Sequence, residues 1–201
     1  MEPAAPKRRL SGAGRRKQLI EVGLQTFAEL GYEGTTVEEV ARRAKITKPL
    51  IYEHFGGKDG LYRVIVEQEA GYVTNIISEV IASGSPRTRI AAAALAFLEY
   101  VRDHPAGFAV LAHDAPASRS YASMLSEIAD RIGRIFTNDF MEAGIDTGVA
   151  NIYAHALIGM VTFVGQWWAE DQSVSIEEVA SHITTMAWVG LENLPQPPQS
   201  R

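Results

Sequence analysis

The chain of 201 residues is 46% hydrophobic and 21% charged, an ordinary globular composition with enough apolar residues to bury a core in one domain or two small ones. It contains no cysteine, which excludes a disulfide framework, a thiolate metal site and a cysteine nucleophile. Its formal net charge of −5 is uneven, with 11 Lys and Arg against 8 Asp and Glu in residues 1–60 and 8 against 16 in residues 61–201, so phosphate is expected at one end only, unless the basic end is an incidental tail.

Residues 1–12, rich in Pro, Ala, Gly and Arg, have nothing to bury and read as a flexible basic arm. The opening MEPAAPKRRLSGAGRR has no apolar run of the kind a secretory signal needs, so the cytoplasm is the expected location. From Ser11 the apolar positions Leu19, Ile20, Val22, Leu24, Phe27 and Leu30 follow helical spacing up to Gly31, a stop signal. Thr35 and Thr36 offer cap hydroxyls to a second helix, VEEVARRA, whose Glu38 and Glu39 suit the positive end of its dipole. It closes near Ala44, and Lys45 and Ile46 leave a tight turn. Pro49 then opens a third helix at Thr47 or Lys48, because the first turn has no use for the N–H that proline lacks. Ile51 and Phe55 share its inner face with Ile46 behind them, Lys48, Pro49, Tyr52 and Glu53 face outward, and Gly56-Gly57 ends it. Helices below roughly 12 residues are marginal alone, so neighbours must hold this one.

Three helices with a tight turn between the last two form the helix-turn-helix that sets a short helix in the major groove. The run TFAELGYEGTTVEEVARRAKITKPLIYEHFGGKDGLY resembles the N-terminal domain of TetR-family transcriptional repressors, and the likeness covers residues 16–65. The resemblance implies that Thr36, Tyr52, His54 and Lys58 hold phosphates, contacts that fix register without reading sequence. It also implies that Thr47, Lys48, Pro49 and Leu50 meet base edges, lysine at guanine acceptors and proline or leucine at a thymine methyl. There are two departures from the family pattern. Lys45 stands where glycine is usual, at a cost of about 1 kcal/mol if the conformation is left-handed. Leu50 stands where small or hydroxylated residues are common, and it either packs inward or reads thymine. Plainer roles remain for the others: Tyr52 and His54 as lids on a small core, Lys58 in solvent, Thr36 as a cap, and Lys7–Arg9 and Arg15–Lys17 either in a minor groove or in solvent.

The remainder reads as helices at 58–82, 86–104, 106–113, 118–143, 147–170 and 175–193, followed by a disordered tail, PQPPQSR. The expected organisation is a DNA-binding domain over 13–60 and a dimerisation and ligand-binding domain over 61–194. Thr147–Ala169 has no charged residue and the length of a membrane span. Asn151, His155 and Gln166 interrupt it and its flanks are acidic, so no membrane is expected. A helix apolar nearly all round is otherwise buried on more than one side. The resemblance implies dimerisation through the last two helices, 147–170 and 175–193, and a small-molecule cavity lined by Phe97, Tyr100, Phe108, His113, Met124, Ile128, Phe163 and Trp167, with plain core as the other role for each. His113-Asp114 has no second ligand at metal spacing, and no nucleophile has a recognisable base, so neither a metal, a cofactor nor catalysis is expected.

The reading is an all-α homodimer that binds palindromic double-stranded operator DNA and is released by an unknown small-molecule effector. One alternative keeps DNA binding and leaves the body to dimerise or dock a protein. A more distant one is a helical small-molecule-binding protein or enzyme.

Overall fold

The computed structural model describes residues 11–112 and 118–194, and all of their regular structure is helical. The expected basic arm before residue 11, His113 and the expected tail from residue 195 lie outside the described residues, as does the side chain of Met124. The helices are α1 (Gly12–Gly34), α2 (Val37–Ala44), α3 (Lys48–Phe55), α4 (Lys58–Val80), α5 (Pro86–Asp103), α6 (Pro105–Ala112), α7 (Ser118–Glu142), α8 (Ala150–Glu170) and α9 (Ile176–Glu192), with a 3-10 turn at Thr147–Val149 before α8.

Local chemistry explains most of the boundaries. Ser11, Thr36, Ser85 and Ser175 each accept a backbone N–H from three residues on, satisfying a donor that the first turn leaves orphaned. Gly31 is a kink rather than the expected stop: at φ 69 it breaks the regular geometry, and helical bonding resumes as far as Gly34. Of the two threonines offered as caps, Thr36 caps α2. Thr35 is buried and donates to the Gly31 carbonyl at 2.7 Å, which pins the kinked turn instead. The predicted 147–170 helix begins three residues late because Asp146 accepts the Gly148 N–H and winds the first turn tighter.

The head is α1–α3 packed on the start of α4. Leu19, Phe27, Val40, Ala44 and Ile51 meet Leu61, Tyr62 and Ile65 in one buried cluster, so α4 enters the head core before running into the body. In the body α7 lies along α8 and α5 along α9, while α6 touches α1 and α4. The junction carries a specific bond: the buried Tyr62 hydroxyl of α4 donates to the Val110 carbonyl of α6 at 3.1 Å.

Candidate nucleic-acid interface and ligand cavity

The turn before α3 is built on an unusual residue. Lys45 adopts φ 55, ψ 47, the left-handed region, and is the sole non-glycine with positive φ among the described residues. That conformation lets the Ile46 N–H reach the Ala41 carbonyl at 3.0 Å and close α2. The strain, about 1 kcal/mol, is the cost of a lysine where the turn suits glycine. Thr47 then stands extended at φ −91, ψ 147 as N-cap, but its hydroxyl makes no capping bond.

α3 is held from behind. Ile51 is fully buried, Phe55 is half-buried under the Arg16 guanidinium at 5.2 Å, and Gly56 at φ 76 closes the helix with its N–H on the Tyr52 carbonyl at 2.8 Å. Thr47, Lys48, Pro49 and Glu53 are exposed, Tyr52 is 56% exposed, and Leu50 and His54 are half-buried. Leu50 therefore takes neither of its expected extremes fully.

Two contacts tie α3 to the elements that carry the other expected DNA residues. Thr36 begins α2, and two residues on Glu38 is ion-paired with Lys48 at the start of α3. One turn along, the Tyr52 ring covers Gly57, where a Cβ would stand 3.3 Å from it, and Lys58 follows. Thr36 is exposed, and its oxygen accepts the Glu39 N–H at 3.1 Å, which leaves its O–H to donate. Lys58 is not simply solvated: its ammonium lies 4.2 Å from the centre of the Tyr32 ring. The Tyr32 hydroxyl donates to Asp59, and that bond, with burial, pushes it up to about 12.

Charge at this surface is tied down. Glu39 accepts from Arg42 at 2.8 and 2.7 Å and from Arg43 at 2.6 Å, and those bonds hold its carboxyl down at about 2. Glu38, missed as a site residue from the sequence, sits at the mouth of α3, where its bond to Lys48 lowers its carboxyl below the ordinary range. It competes with any nucleic acid for that lysine and repels phosphate. Glu38→Gln is therefore expected to raise DNA affinity about 2- to 5-fold, the range of an exposed ion pair, with the gain shrinking as salt rises. Titration of duplex DNA at two ionic strengths checks this, and unchanged or weaker binding counts against it.

The body holds an apolar void between α4, α5, α7 and α8, lined among others by Ile77, Phe97, Ile128, Leu157, Val161 and Thr162 and enclosing about 30 Å³. Of the residues expected at a ligand cavity, Phe97 and Ile128 are in its wall. Tyr100 and Phe108 are buried beside it rather than in its wall: the Tyr100 hydroxyl donates to Glu69 at 2.9 Å, and Phe108 packs edge-on against Phe97 at 6.1 Å. Phe163 and Trp167 are corrections. Positions 157, 158, 161 and 162 of α8 turn toward the void. By helical phase Phe163 and Trp167 fall on the opposite side, 75% and 51% exposed, and the buried indole is that of Trp168, which donates to the Val174 carbonyl at 2.7 Å.

That outer side is apolar. The most apolar 18 residues within Thr147–Glu170 have a mean hydropathy of 1.4, yet only 28% of them are buried, and Ile152, Phe163 and Trp167 stand out from the helix. Met186 and Val189 do the same on α9, and a groove of about 180 Å³ lined by Tyr153, Met160, Met186 and Leu191 separates the two helices. Large apolar side chains exposed on two helices in this way are candidates for an interaction surface.

Comparison with known proteins agrees with this geometry. Residues 19–65 match the family described as bacterial regulatory proteins, tetR family, and residues 86–190 match tetracyclin repressor-like, C-terminal domain. Over 191 residues the chain is 22% identical to the HTH-type transcriptional activator FasR of Mycolicibacterium smegmatis, covering 93% of this chain and 87% of that protein. The crystal structure of a TetR-like transcriptional regulator from Rhodococcus sp. RHA1 shares the fold at a TM-score of 0.75 and 24% identity, over 92% of this chain and 100% of that one. AibR, solved in complex with isovaleryl coenzyme A and operator DNA, does so at 0.71 and 20%, over 86% and 97%.

Proposed function

The chain belongs to the tetR family of bacterial regulatory proteins and is a DNA-binding transcriptional regulator, and on that premise we propose that it works as a homodimeric repressor, released from palindromic operator DNA when a small molecule enters the body. The observation that carries the reading is the exposed first turn of α3, Thr47 to Pro49, on a short helix anchored from behind by the fully buried Ile51. Such a helix enters a major groove with its N-terminal residues on base edges. In this reading Lys48 reads guanine, Pro49 and Leu50 meet a thymine methyl, Thr47 reaches a base edge or a phosphate, and Thr36, Tyr52, His54 and Lys58 hold the backbone. The protein acts in the cytoplasm, where bacterial DNA lies.

One such helix reads few bases, and a two-fold dimer doubles the site. The apolar outer face of α8 and α9 is the surface we assign to the second copy. It supplies the large exposed side chains that a self-complementary four-helix contact buries, Phe163, Trp167 and Met186 among them.

The effector reading rests on a chain of contacts from cavity to head. Phe97 lines the void and lies against Gly165, where a Cβ would be 2.7 Å from its ring, so it has no slack on that side. It presses on Phe108 of α6, and α6 accepts the Tyr62 hydroxyl through Val110. Tyr62 in turn packs edge-on against Phe27 of α1 at 4.8 Å. An occupant that parts α5 from α7 shifts this line and with it the separation of the two heads. A ligand favouring a separation that mismatches the operator must weaken DNA binding, and DNA must weaken ligand binding equally. The AibR complex, which holds an acyl coenzyme A and operator DNA on the same fold, supports the pairing of a DNA head with an effector cavity.

Footprinting on the DNA upstream of the protein's own reading frame tests the reading. Two protected half-sites are expected, one helical turn of about 34 Å or more apart. No protection at about 50 mM salt, where electrostatic binding is strong, overturns it.

A further inference from the structure

The cations of the head are held in two ways. Lys48 is paired with Glu38, and Arg42 and Arg43 with Glu39, so a carboxylate neutralises part of the charge that a phosphate would meet there. Lys58 is held by a ring. Its ammonium lies 4.2 Å from the centre of Tyr32, and the face of a neutral ring attracts a cation without cancelling its charge or using up its three N–H donors.

The ring is itself fixed. It stacks on Phe27 at 6.2 Å and meets Tyr62 edge-on at 4.9 Å, and its hydroxyl donates to Asp59, the neighbour of Lys58 in the first turn of α4. One side chain of α1 thus engages both charged residues of that turn, the cation on its face and the carboxylate at its edge. The turn has no side-chain cap, so its orphaned backbone N–H groups add to the pull of the ammonium on an anion. A Cβ on Gly60 would stand 1.7 Å from the Phe55 carbonyl, so the same turn packs directly against the end of α3. Lys58 therefore keeps a fixed place relative to the base-reading helix.

We infer that Tyr32 is a positioning residue for DNA binding: its ring holds the Lys58 ammonium, ordered and still fully charged, where a backbone phosphate meets it in register with α3. This rests on the reading of Lys58 as a phosphate contact. A lysine has a long flexible stem, and without the ring its rotamers must be frozen at the moment the phosphate arrives.

Two ring variants of the full-length protein test the role against the footprinted operator. Tyr32→Phe keeps the ring face and its packing on Phe27 and Tyr62, and should bind nearly as well as the unsubstituted protein. A trifluorinated phenylalanine at the same position has almost the same shape, but fluorine drains the negative charge from its face. It should bind more weakly than Tyr32→Phe by about 2- to 5-fold per head, or about 5- to 25-fold for the two heads of a dimer. In the Lys58→Ala background the same fluorination should change nothing, because the cation it acts on is gone. Lys58→Ala itself should lower the slope of log affinity against log salt by about 2, one phosphate for each head. Matching thermal midpoints of the two ring variants exclude misfolding as the cause. Equal affinity for the two rings, or a fluorination loss of the same size with and without Lys58, overturns the positioning role. An unchanged salt slope in Lys58→Ala overturns the phosphate reading beneath it, and failure of the unsubstituted protein to bind the operator sinks the functional reading as a whole.

Discussion

Phe163→Glu is expected to give a folded monomer whose operator affinity is lower by about 100-fold or more. Phe163 is 75% exposed on the single chain, so the change removes little that the subunit needs. In a two-fold contact through α8 and α9 it occurs twice. Burying each phenyl ring contributes about 1.5–3 kcal/mol, and an unpaired carboxylate in its place adds a desolvation penalty of several more. At 1.4 kcal/mol per tenfold, the dimer is lost at working concentrations. Operator binding falls with it because each head alone holds half a site. Sedimentation and operator titration on the same preparation measure both effects. A variant that stays dimeric with unchanged affinity moves the interface away from α8 and α9.

Lys48→Ala should weaken binding to the footprinted operator about 10- to 100-fold and relax base preference at one position of each half-site, the loss of about 1–3 kcal/mol typical of a base-reading side chain. In free protein the Lys48 ammonium is paired with Glu38. Both partners are about half exposed, with side-chain exposures of 52% and 59%, so breaking that pair costs little and guanine acceptors can replace the carboxylate. Tyr52→Phe is the contrast. Removing one phosphate donor should weaken all sequences by a similar factor and leave the preference intact. Competition titration against operators varied one base pair at a time separates the two. If neither substitution alters binding, α3 is not the reading helix.

How far these features can be read from residue order varies along the chain. The beginning of α3 was legible because its causes are local: Pro49 wants the first turn, Gly56 accepts a left-handed backbone, and Ile51 and Phe55 fall four apart. Lys45 was legible as a misfit, and the structure keeps it in the left-handed region because the α2–α3 turn requires that geometry from whatever residue stands there. Gly31 misled as a stop because a positive φ ends one run of helix without preventing another from starting, and the buried Thr35 bond that holds the two together is not visible in order alone. Glu38 looked like a dipole partner for its own helix; its pairing with Lys48, ten residues on, exists because the turn folds α3 back past the start of α2.

The residues expected from the sequence to line a cavity divide in the same way. Phe97 and Ile128 line the void, but Phe163 and Trp167 face out, and the aliphatic wall of Ile90, Ala93, Ile132 and Leu157 was not singled out. On a helix apolar nearly all round, such as α8, periodicity names no inner face. Residue order settled the helices of the described residues, most caps and the family, because capping bonds, glycine and proline geometry and short-range spacing act within a few residues. Which side of α8 turns to α7, where Arg89 comes to rest and how Tyr62 meets Val110 depended on partners distant in the chain, 48 residues apart for Tyr62 and Val110 and 50 for Arg89 and Asp139, since those choices arise from the burial of whole faces against one another.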